Sequence, residues 1–171
     1  PASAALNIFA CEPEWGALAE EIGGDAVSVY VATSAKQDPH QLQARPSLIA
    51  KARGADLVGL MINLREACGL ASSILANANN AYMTVLWDCA VSNLSFPHEL
   101  GHLFGARHDP FVDPTTTPFA YGHGYIGPGN AWRTIMAYPD GCSGCTRLAY
   151  FSNPSVLFNG SPMGTAATHD N

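Results

Sequence analysis

Short apolar runs and stretches of helical apolar spacing alternate along the first sixty residues. Apolar runs predict strands, and apolar residues three and four positions apart predict amphipathic helices. The expected strands are 6–10, 26–32 and 56–62, and the expected helices are 14–22 and 46–53. Strands that alternate with helices in this order are typical of a parallel sheet.

The pattern changes after residue 62. Residues 63–80 are rich in Ala, Ser, Asn and Gly, which predicts irregular surface, and the apolar run 81–87 predicts a further strand. A helix is expected to about residue 104, with Ser95 as its N-cap and Pro97 in its first turn. Residues 110–134 and the tail from 147 to 171 are expected to be irregular, because proline and glycine leave little room for helix.

The helix that ends near residue 104 carries a metal-binding pattern. His98 and His102 are four residues apart and therefore lie on one helical face, with Glu99 beside them. Gly105 favours the left-handed turn that ends a helix, after which His108 can supply a third ligand. Three protein ligands leave one position for water, which is the arrangement of a catalytic zinc site.

The stretch HELGHLFGARHD at 98–109 resembles the zinc signature of the metzincin metallopeptidases, closest to the adamalysin/reprolysin-like branch. Residues 134–138, TIMAY, resemble the methionine turn of that family. The resemblance covers about residues 55–171. It implies an α/β (α+β) fold with an upper subdomain over 1–109 and an irregular lower subdomain over 110–171. The upper subdomain is expected to hold helices and a mostly parallel, twisted sheet with an antiparallel edge strand.

The resemblance also implies an activity, that of a zinc-dependent endopeptidase. His98, His102 and His108 would hold Zn2+, and Glu99 would act as general base toward a zinc-bound water. Tyr138 follows the methionine by two residues, as does a tyrosine that stabilises the oxyanion in astacin- and serralysin-like members. The alternative for Tyr138 is a buried ring whose hydroxyl bonds to backbone.

Three further residues receive structural roles. Met136 is expected to form an apolar floor under the histidines, and the family likeness gives Asp109 a supporting role beneath the site. His123 is also expected to be structural, because three ligands are already present.

The predicted strand 81–87 is similar in position to the antiparallel edge strand that precedes the active helix in metzincins. Its free backbone groups would hold an extended protein or peptide substrate by β-augmentation. The competing interpretation is an edge strand without a binding role. Cleavage specificity is expected to come from the loop 110–134.

Residues 6–58 carry a second resemblance, to the N-terminal part of a periplasmic zinc- or manganese-binding protein of an ABC transporter. Asp38-Pro39-His40 matches the segment that supplies that family's first histidine ligand, but the rest of that site has no counterpart here. His40 is therefore expected to lie outside any metal site. The two resemblances meet near 54–58, which indicates a composite chain, either a natural fusion or an engineered chimera.

Two other functions compete with the peptidase. One is a non-catalytic metal-binding protein related to the transporter component, and the other is a composite zinc-binding scaffold without activity. They differ in one residue: only the first predicts that His40 contributes to metal affinity.

Length and composition narrow the setting. A chain of 171 residues, 47% hydrophobic, suits a single domain over 1–171. Its net charge of -6 with eight Lys plus Arg argues against nucleic acid, and no apolar run reaches membrane-spanning length. We expect a monomer.

The cysteines and the first residues favour export. Five cysteines allow two disulfides, Cys68 with Cys89 and Cys142 with Cys145, and leave Cys11 as a buried or reactive thiol. The small residues at 1–5 are typical of a stretch near a cleavage site. A secreted, periplasmic or extracellular location follows from both features.

Overall fold

The computed structural model describes residues 5–37, 43, 45–63 and 66–171. It is a mixed helix and strand structure, so the α/β class is confirmed. The elements are β1 (Leu6–Ala10), α1 (Pro13–Gly23), β2 (Val27–Val31), α2 (Pro46–Arg53), β3 (Val58–Ile62), β4 (Gly69–Ala71), β5 (Tyr82–Leu86), α3 (Ser95–Leu103), β6 (Trp132–Arg133), β7 (Thr146–Arg147), β8 (Asn153–Phe158) and β9 (Ser161–Met163). Single 3-10 turns lie at Gly24–Ala26, Pro128–Asn130 and Pro139–Gly141.

The chain forms two compact units, Pro1–Val58 and Gly59–Asn171. In the first unit β1 and β2 pair in parallel, from Leu6 opposite Val27 to Ala10 opposite Val31. Two parallel strands need a crossover between them, and α1 supplies it. β1 and α2 have the predicted bounds.

The expected single, mostly parallel sheet is not formed by the described residues. β1 and β2 make a sheet of their own, whereas β3 pairs in a separate sheet of order β3-β5-β4. Leu57, just before β3, makes one isolated parallel bridge to Ile8. The apolar pattern located β1, β2, β3 and β5 correctly, but the choice of pairing partner depends on contacts between residues distant in sequence.

The strand expected at 81–87 is present, but its expected position at the edge of the sheet is wrong. β5 occupies that stretch and lies in the middle of its sheet, while β4 pairs with it antiparallel and forms the outer strand. β4 lies within residues 63–80, where composition predicted no strand. Gly69–Ala71 is too short for an apolar alternation to be visible, and its pairing is fixed by β5.

The N-cap assigned to Ser95 is also wrong. Ser95 is the first helical residue of α3, and Leu94 precedes it at a left-handed φ of 54°. The first helical N–H groups are satisfied by backbone: Ser95 N donates to Cys89 O, and Phe96 N donates to Ala90 O, both at 3.2 Å. The preceding loop therefore caps the helix in place of a side chain.

The tail forms a β-hairpin where irregular chain was expected. β8 and β9 pair antiparallel around Asn159-Gly160, whose φ values are 50° and 78°. Positive φ at both central residues defines the tight hairpin turn that an Asn-Gly pair favours. Pro154 and Pro162 exclude helix here but are compatible with short strands.

The core of the second unit lies between α3, the sheet and the segment after β6. Its members are apolar side chains at most 5% exposed: Met83, Val85, Leu86, Ala90, Leu103, Ile135, Met136, Ala137, Cys142 and Met163. α3 contacts this core through Gly101, where a Cβ would lie 2.6 Å from Met136 Sδ. Met136 therefore packs directly against α3, as expected of a floor under its histidines.

Two disulfides are present, Cys68–Cys89 and Cys142–Cys145, and both predicted pairs are confirmed. Cys11 is a free, exposed cysteine, so its buried alternative is wrong. Among the described residues, no helix combines the length and the apolar character that a membrane span needs.

Breaking Cys68–Cys89 should destabilise the protein more than breaking Cys142–Cys145. The first bond closes a loop of 21 residues and the second a loop of 3. Chain entropy then assigns about 3 kcal/mol to the long loop and about 2 kcal/mol to the short one. Urea unfolding of the two double Cys→Ser variants measures both values, and equal or reversed losses would contradict this order.

Candidate metal centre

α3 brings the first two histidines and the glutamate of the motif to one place. His98, Glu99 and His102 are all buried, at 5%, 6% and 9% exposure. The two imidazole centroids are 4.8 Å apart, as the four-residue spacing predicts. Leu103, on another face of the helix, is buried in the core, and Leu100 is half-buried.

A glycine turn ends α3 and positions the next segment. Gly105 has a φ of 99° and donates from its N–H to His102 O, while Ala106 N donates to Gly101 O, both at 2.9 Å. These two hydrogen bonds are those of a Schellman motif. The turn also brings Ala106 O to 2.9 Å from His102 Nδ1.

His108 is fixed by a neighbouring segment. Arg107 N donates to Gly122 O at 2.6 Å, and Gly124 N donates to Arg107 O at 3.0 Å. His123, between these glycines, is 2% exposed and its Nδ1 lies 2.7 Å from His108 O. The structure thus places His123 behind the third histidine, outside the cluster itself.

The three motif histidines converge through their Nε2 atoms. His108 Nε2 lies 3.2 Å from His98 Nε2 and 3.0 Å from His102 Nε2. Among the described residues, His98, His102 and His108 form a group able to hold a metal ion, with ligand atoms all within 4.8 Å of one another. His40, from the transporter-like segment, lies outside the described residues.

Backbone carbonyls fix the orientation of two rings. His98 Nδ1 lies 3.0 Å from Ile135 O, and His102 Nδ1 lies 2.9 Å from Ala106 O. If each Nδ1 donates its proton to that carbonyl, each Nε2 presents a lone pair to the centre. Arg147 Nη2 is also 2.6 Å from His98 Nδ1, but a guanidinium has only donors, so we assign the Nδ1 hydrogen bond to Ile135.

Burial keeps the imidazoles uncharged. The pKa of His98 is lowered to about 3 and that of His108 to about 4, chiefly by desolvation and in smaller part by neighbouring histidines. Burial also lowers the pKa of His102. All three rings are therefore neutral at pH 7, which is the form that binds metal.

Glu99 lies beside the histidines under β4. Burial raises the pKa of its carboxyl to about 7, and a hydrogen bond from the Ala71 backbone opposes that shift. A Cβ on Gly69 would lie 2.5 Å from Glu99 Oε1, so only glycine lets the strand approach this closely. A carboxyl with a pKa near neutrality can both accept and donate a proton.

The segment after Thr134 completes the site. Tyr138 is 38% exposed, and its ring centroid is 4.3 Å from that of His108. The buried alternative for this ring is therefore wrong. Tyr138 N donates to Asp109 Oδ2 at 2.8 Å, which is the supporting position that the sequence assigned to Asp109.

The donor set fits a metal ion. A tetrahedral ion with bonds of about 2.0–2.1 Å places its nitrogen ligands about 3.3 Å apart. The observed separations of 3.0 and 3.2 Å are close to this value. The arrangement therefore fits a set of three ligands around one ion.

Sequence reasoning missed two residues of the site. Arg147 lies 49 residues from His98 and contacts its ring, and no motif marks it. Gly69 lies in a stretch expected to be irregular. Neither residue has a local sequence signal, because each reaches the site through tertiary packing.

Two known families match the chain. Residues 63–169 match the metallo-peptidase family M12B, reprolysin-like. Residues 8–114 match the zinc-uptake complex component A, periplasmic. This second match extends well past the 6–58 that the sequence suggested, and the two matches together support a composite chain. No solved structure matches the chain with significance.

Four curated relatives that match this chain share one name, peptidyl-Asp metalloendopeptidase. The peptidyl-Asp metalloendopeptidase of Xanthomonas campestris pv. campestris is 56% identical over 118 residues, which are 68% of this chain and 28% of that protein. One from Stenotrophomonas maltophilia is 53% identical over 120 residues, with the same shares. One from Pseudomonas fragi is 45% identical over 93 residues, 53% of this chain and 61% of that protein. The chain thus spans under a third of the first two relatives.

Replacing any motif histidine by alanine should abolish stoichiometric metal binding, because two nitrogens remain where three converge. His169→Ala is the matched control, since His169 lies outside the cluster and contacts Thr165 and Thr168. Metal content of the purified proteins, measured by atomic emission, tests this prediction. Full metal content in His108→Ala would remove that residue from the ligand set.

Proposed function

Because the chain belongs to the reprolysin-like M12B metallo-peptidase family, we propose that it is a zinc-dependent endopeptidase with a metzincin-like fold. The observation that carries this proposal is the convergence of His98, His102 and His108 beside a buried carboxyl, Glu99. This chain spans only part of the length of its relatives. The activity of the whole protein is therefore part of the same proposal.

Zinc is the ion we propose for the centre, held by the Nε2 atoms of the three histidines. An all-nitrogen set of three ligands suits it, and the bound ion supplies Lewis-acid chemistry that acidifies water and polarises a peptide carbonyl.

Glu99 is the proposed general base. Its carboxyl accepts a proton from the attacking water and later gives it to the leaving amine. Burial supports this role, because the raised pKa matches a group that exchanges protons near neutral pH. The carboxyl is held between β4 and the helix, which keeps it in one orientation.

Tyr138 is the proposed oxyanion donor. Its ring stands against His108 and its hydroxyl remains protonated, since burial raises the pKa of the phenol. A neutral phenol can donate a hydrogen bond to charge that develops on a carbonyl oxygen. The hydrogen bond from Tyr138 N to Asp109 Oδ2 holds the backbone of Tyr138 in place, which limits the positions that its hydroxyl can reach.

We propose that an extended protein or peptide substrate pairs with β4 rather than with 81–87. β4 is the outer strand of its sheet and crosses directly over Glu99. An added strand would bond to the backbone edge of β4 that does not face β5. The scissile carbonyl would then pass close to the general base.

The name of the relatives suggests the substrate class. All four are called peptidyl-Asp metalloendopeptidase, and we propose that this chain likewise cleaves next to aspartate. We further propose that it works as a monomer in a secreted, periplasmic or extracellular setting, which two disulfides support. Neither nucleic acid nor membrane is a proposed partner.

The non-catalytic alternative is less favoured. The match over 8–114 supports a relationship to the zinc-uptake component. However, the metal cluster among the described residues consists of the histidines of the peptidase motif. His40→Ala tests the alternative directly, because unchanged zinc affinity in that variant would count against it.

Glu99→Gln should keep one zinc per chain and lose turnover by at least about 100-fold, because the amide cannot accept the proton. Zinc content and cleavage of a denatured protein are measured side by side with the wild type. Loss of zinc in Glu99→Gln would make Glu99 a ligand instead. Zinc without cleavage in both proteins would favour the scaffold.

Gly69→Ala should lower turnover by about 10- to 100-fold with zinc retained, because the new Cβ displaces the Glu99 carboxyl. Gly54→Ala is the control, since a Cβ there meets its nearest atoms only at 3.5 and 3.6 Å. Turnover and zinc content are measured for both variants. Unchanged turnover in Gly69→Ala would mean that the orientation of Glu99 does not limit catalysis.

A further inference from the structure

Arg147 is a cation without a carboxylate partner next to the histidine cluster. Its guanidinium contacts His98 Nδ1 at 2.6 Å and lies near enough to Glu99 and Tyr138 to feel their charges. Among the described residues, no carboxylate lies within ion-pair distance of it. A half-buried guanidinium that lacks a carboxylate partner beside the histidine cluster is suited to bind an anionic ligand.

The other two described arginines of this unit, Arg107 and Arg133, each have a carboxylate as their main charged neighbour. No lysine follows residue 58, and Arg65 lies outside the described residues. Arg107 forms an ion pair with Asp113 at 2.6 Å. Arg133 lies in the field of the buried Asp109 carboxylate. For Arg147, in contrast, the strongest charge contribution comes from another cation, Arg133.

The guanidinium of Arg147 is held in place by backbone carbonyls, but not all of its N–H donors are engaged. Nε donates to Ile135 O at 2.9 Å, Nη2 also bonds to that carbonyl, and Nη1 donates to Asn93 O at 2.7 Å. Arginine has five N–H donors, so these bonds leave one on Nη1 and one on Nη2. Nη2 also touches His98 Nδ1, but that nitrogen accepts no hydrogen bond while it donates its own proton to Ile135 O. Two such donors on a planar fork match the two oxygens of a carboxylate.

We propose that Arg147 is the specificity-determining residue that binds the acidic side chain of the substrate beside the scissile bond. The inference rests on the proposed peptidase function and gives the aspartate preference a physical basis. Carbonyl oxygens hold the guanidinium in place before substrate arrives, which reduces the entropy lost on binding. The residue lies in β7, past the loop 110–134 from which specificity was expected.

The test compares two quenched peptides that differ only in Asp against Asn at the cleavage position. The wild type should favour the Asp peptide in kcat/KM, and Arg147→Gln should reduce that ratio by about 10- to 100-fold, chiefly through the Asp peptide. Arg107→Gln removes a similar charge that is already paired, and should keep the wild-type ratio. An equal loss on both peptides in Arg147→Gln would show a purely structural role and overturn the proposal.

Two further measurements separate specificity from folding. In the Glu99→Gln background, a fluorescence titration should show tighter binding of the Asp peptide, and adding Arg147→Gln should remove the difference. Arg147→Lys keeps the charge and should show an intermediate Asp-to-Asn ratio with zinc retained. A difference that survives Arg147→Gln, or a Lys variant no better than Gln, would contradict the inference.

Failure of the proposed function looks different from failure of this inference. If the wild type binds zinc and cleaves neither peptide, the peptidase proposal fails. If the wild type prefers Asp and Arg147→Gln prefers it equally, the peptidase stands and Arg147 is excluded as the carboxylate site.

Discussion

The carbonyl oxygen of Ile135 is the point on which the site depends. It lies 3.0 Å from His98 Nδ1 and accepts from Arg147 Nε at 2.9 Å. One oxygen thus connects the active helix, the methionine turn and β7. Its hydrogen bond to Nδ1 decides that the other nitrogen of His98 faces the metal position. Met136 follows Ile135 directly, so the buried methionine and the ligand orientation belong to one turn.

Burial shifts the pKa values of neighbouring groups in the site in opposite directions. It lowers the pKa values of the histidines, which keeps their rings neutral, and it raises that of Glu99, whose carboxyl can then exchange a proton near neutral pH. Both shifts have one cause, because a dry environment disfavours whichever form is charged. Arg147 is the exception, since an arginine stays charged at neutral pH and must be satisfied by carbonyls and, in our proposal, by the substrate.

The composite character of the chain agrees with its structure. The two compact units divide at Val58, at the edge of the 54–58 junction where the two resemblances meet. The zinc-uptake match nevertheless continues to residue 114, across α3 and all three motif histidines. The site itself, including Met136, Tyr138 and Arg147, lies within the reprolysin-like match. The histidine cluster and the residues packed around it all lie in the second unit.

The features that depend on local spacing follow from the sequence alone. The four-residue separation of His98 and His102 puts them on one helical face, and Gly105 provides the left-handed turn that leads to His108. The cysteine pairs and the mixed α/β class were likewise readable in advance. The Asn-Gly pair at 159–160 is a local hairpin signal too, whereas the prolines and glycines of the tail indicate only that helix is disfavoured there.

The remaining features arise from packing between parts of the chain that are distant in sequence. It made β4 the outer strand over Glu99, capped α3 with carbonyls of the preceding loop, and brought Arg147 to His98. Each of these depends on groups many residues apart, whose contact requires the whole unit to pack. Composition and periodicity describe which face of an element is apolar. They do not say which distant carbonyl, strand or guanidinium will meet that element.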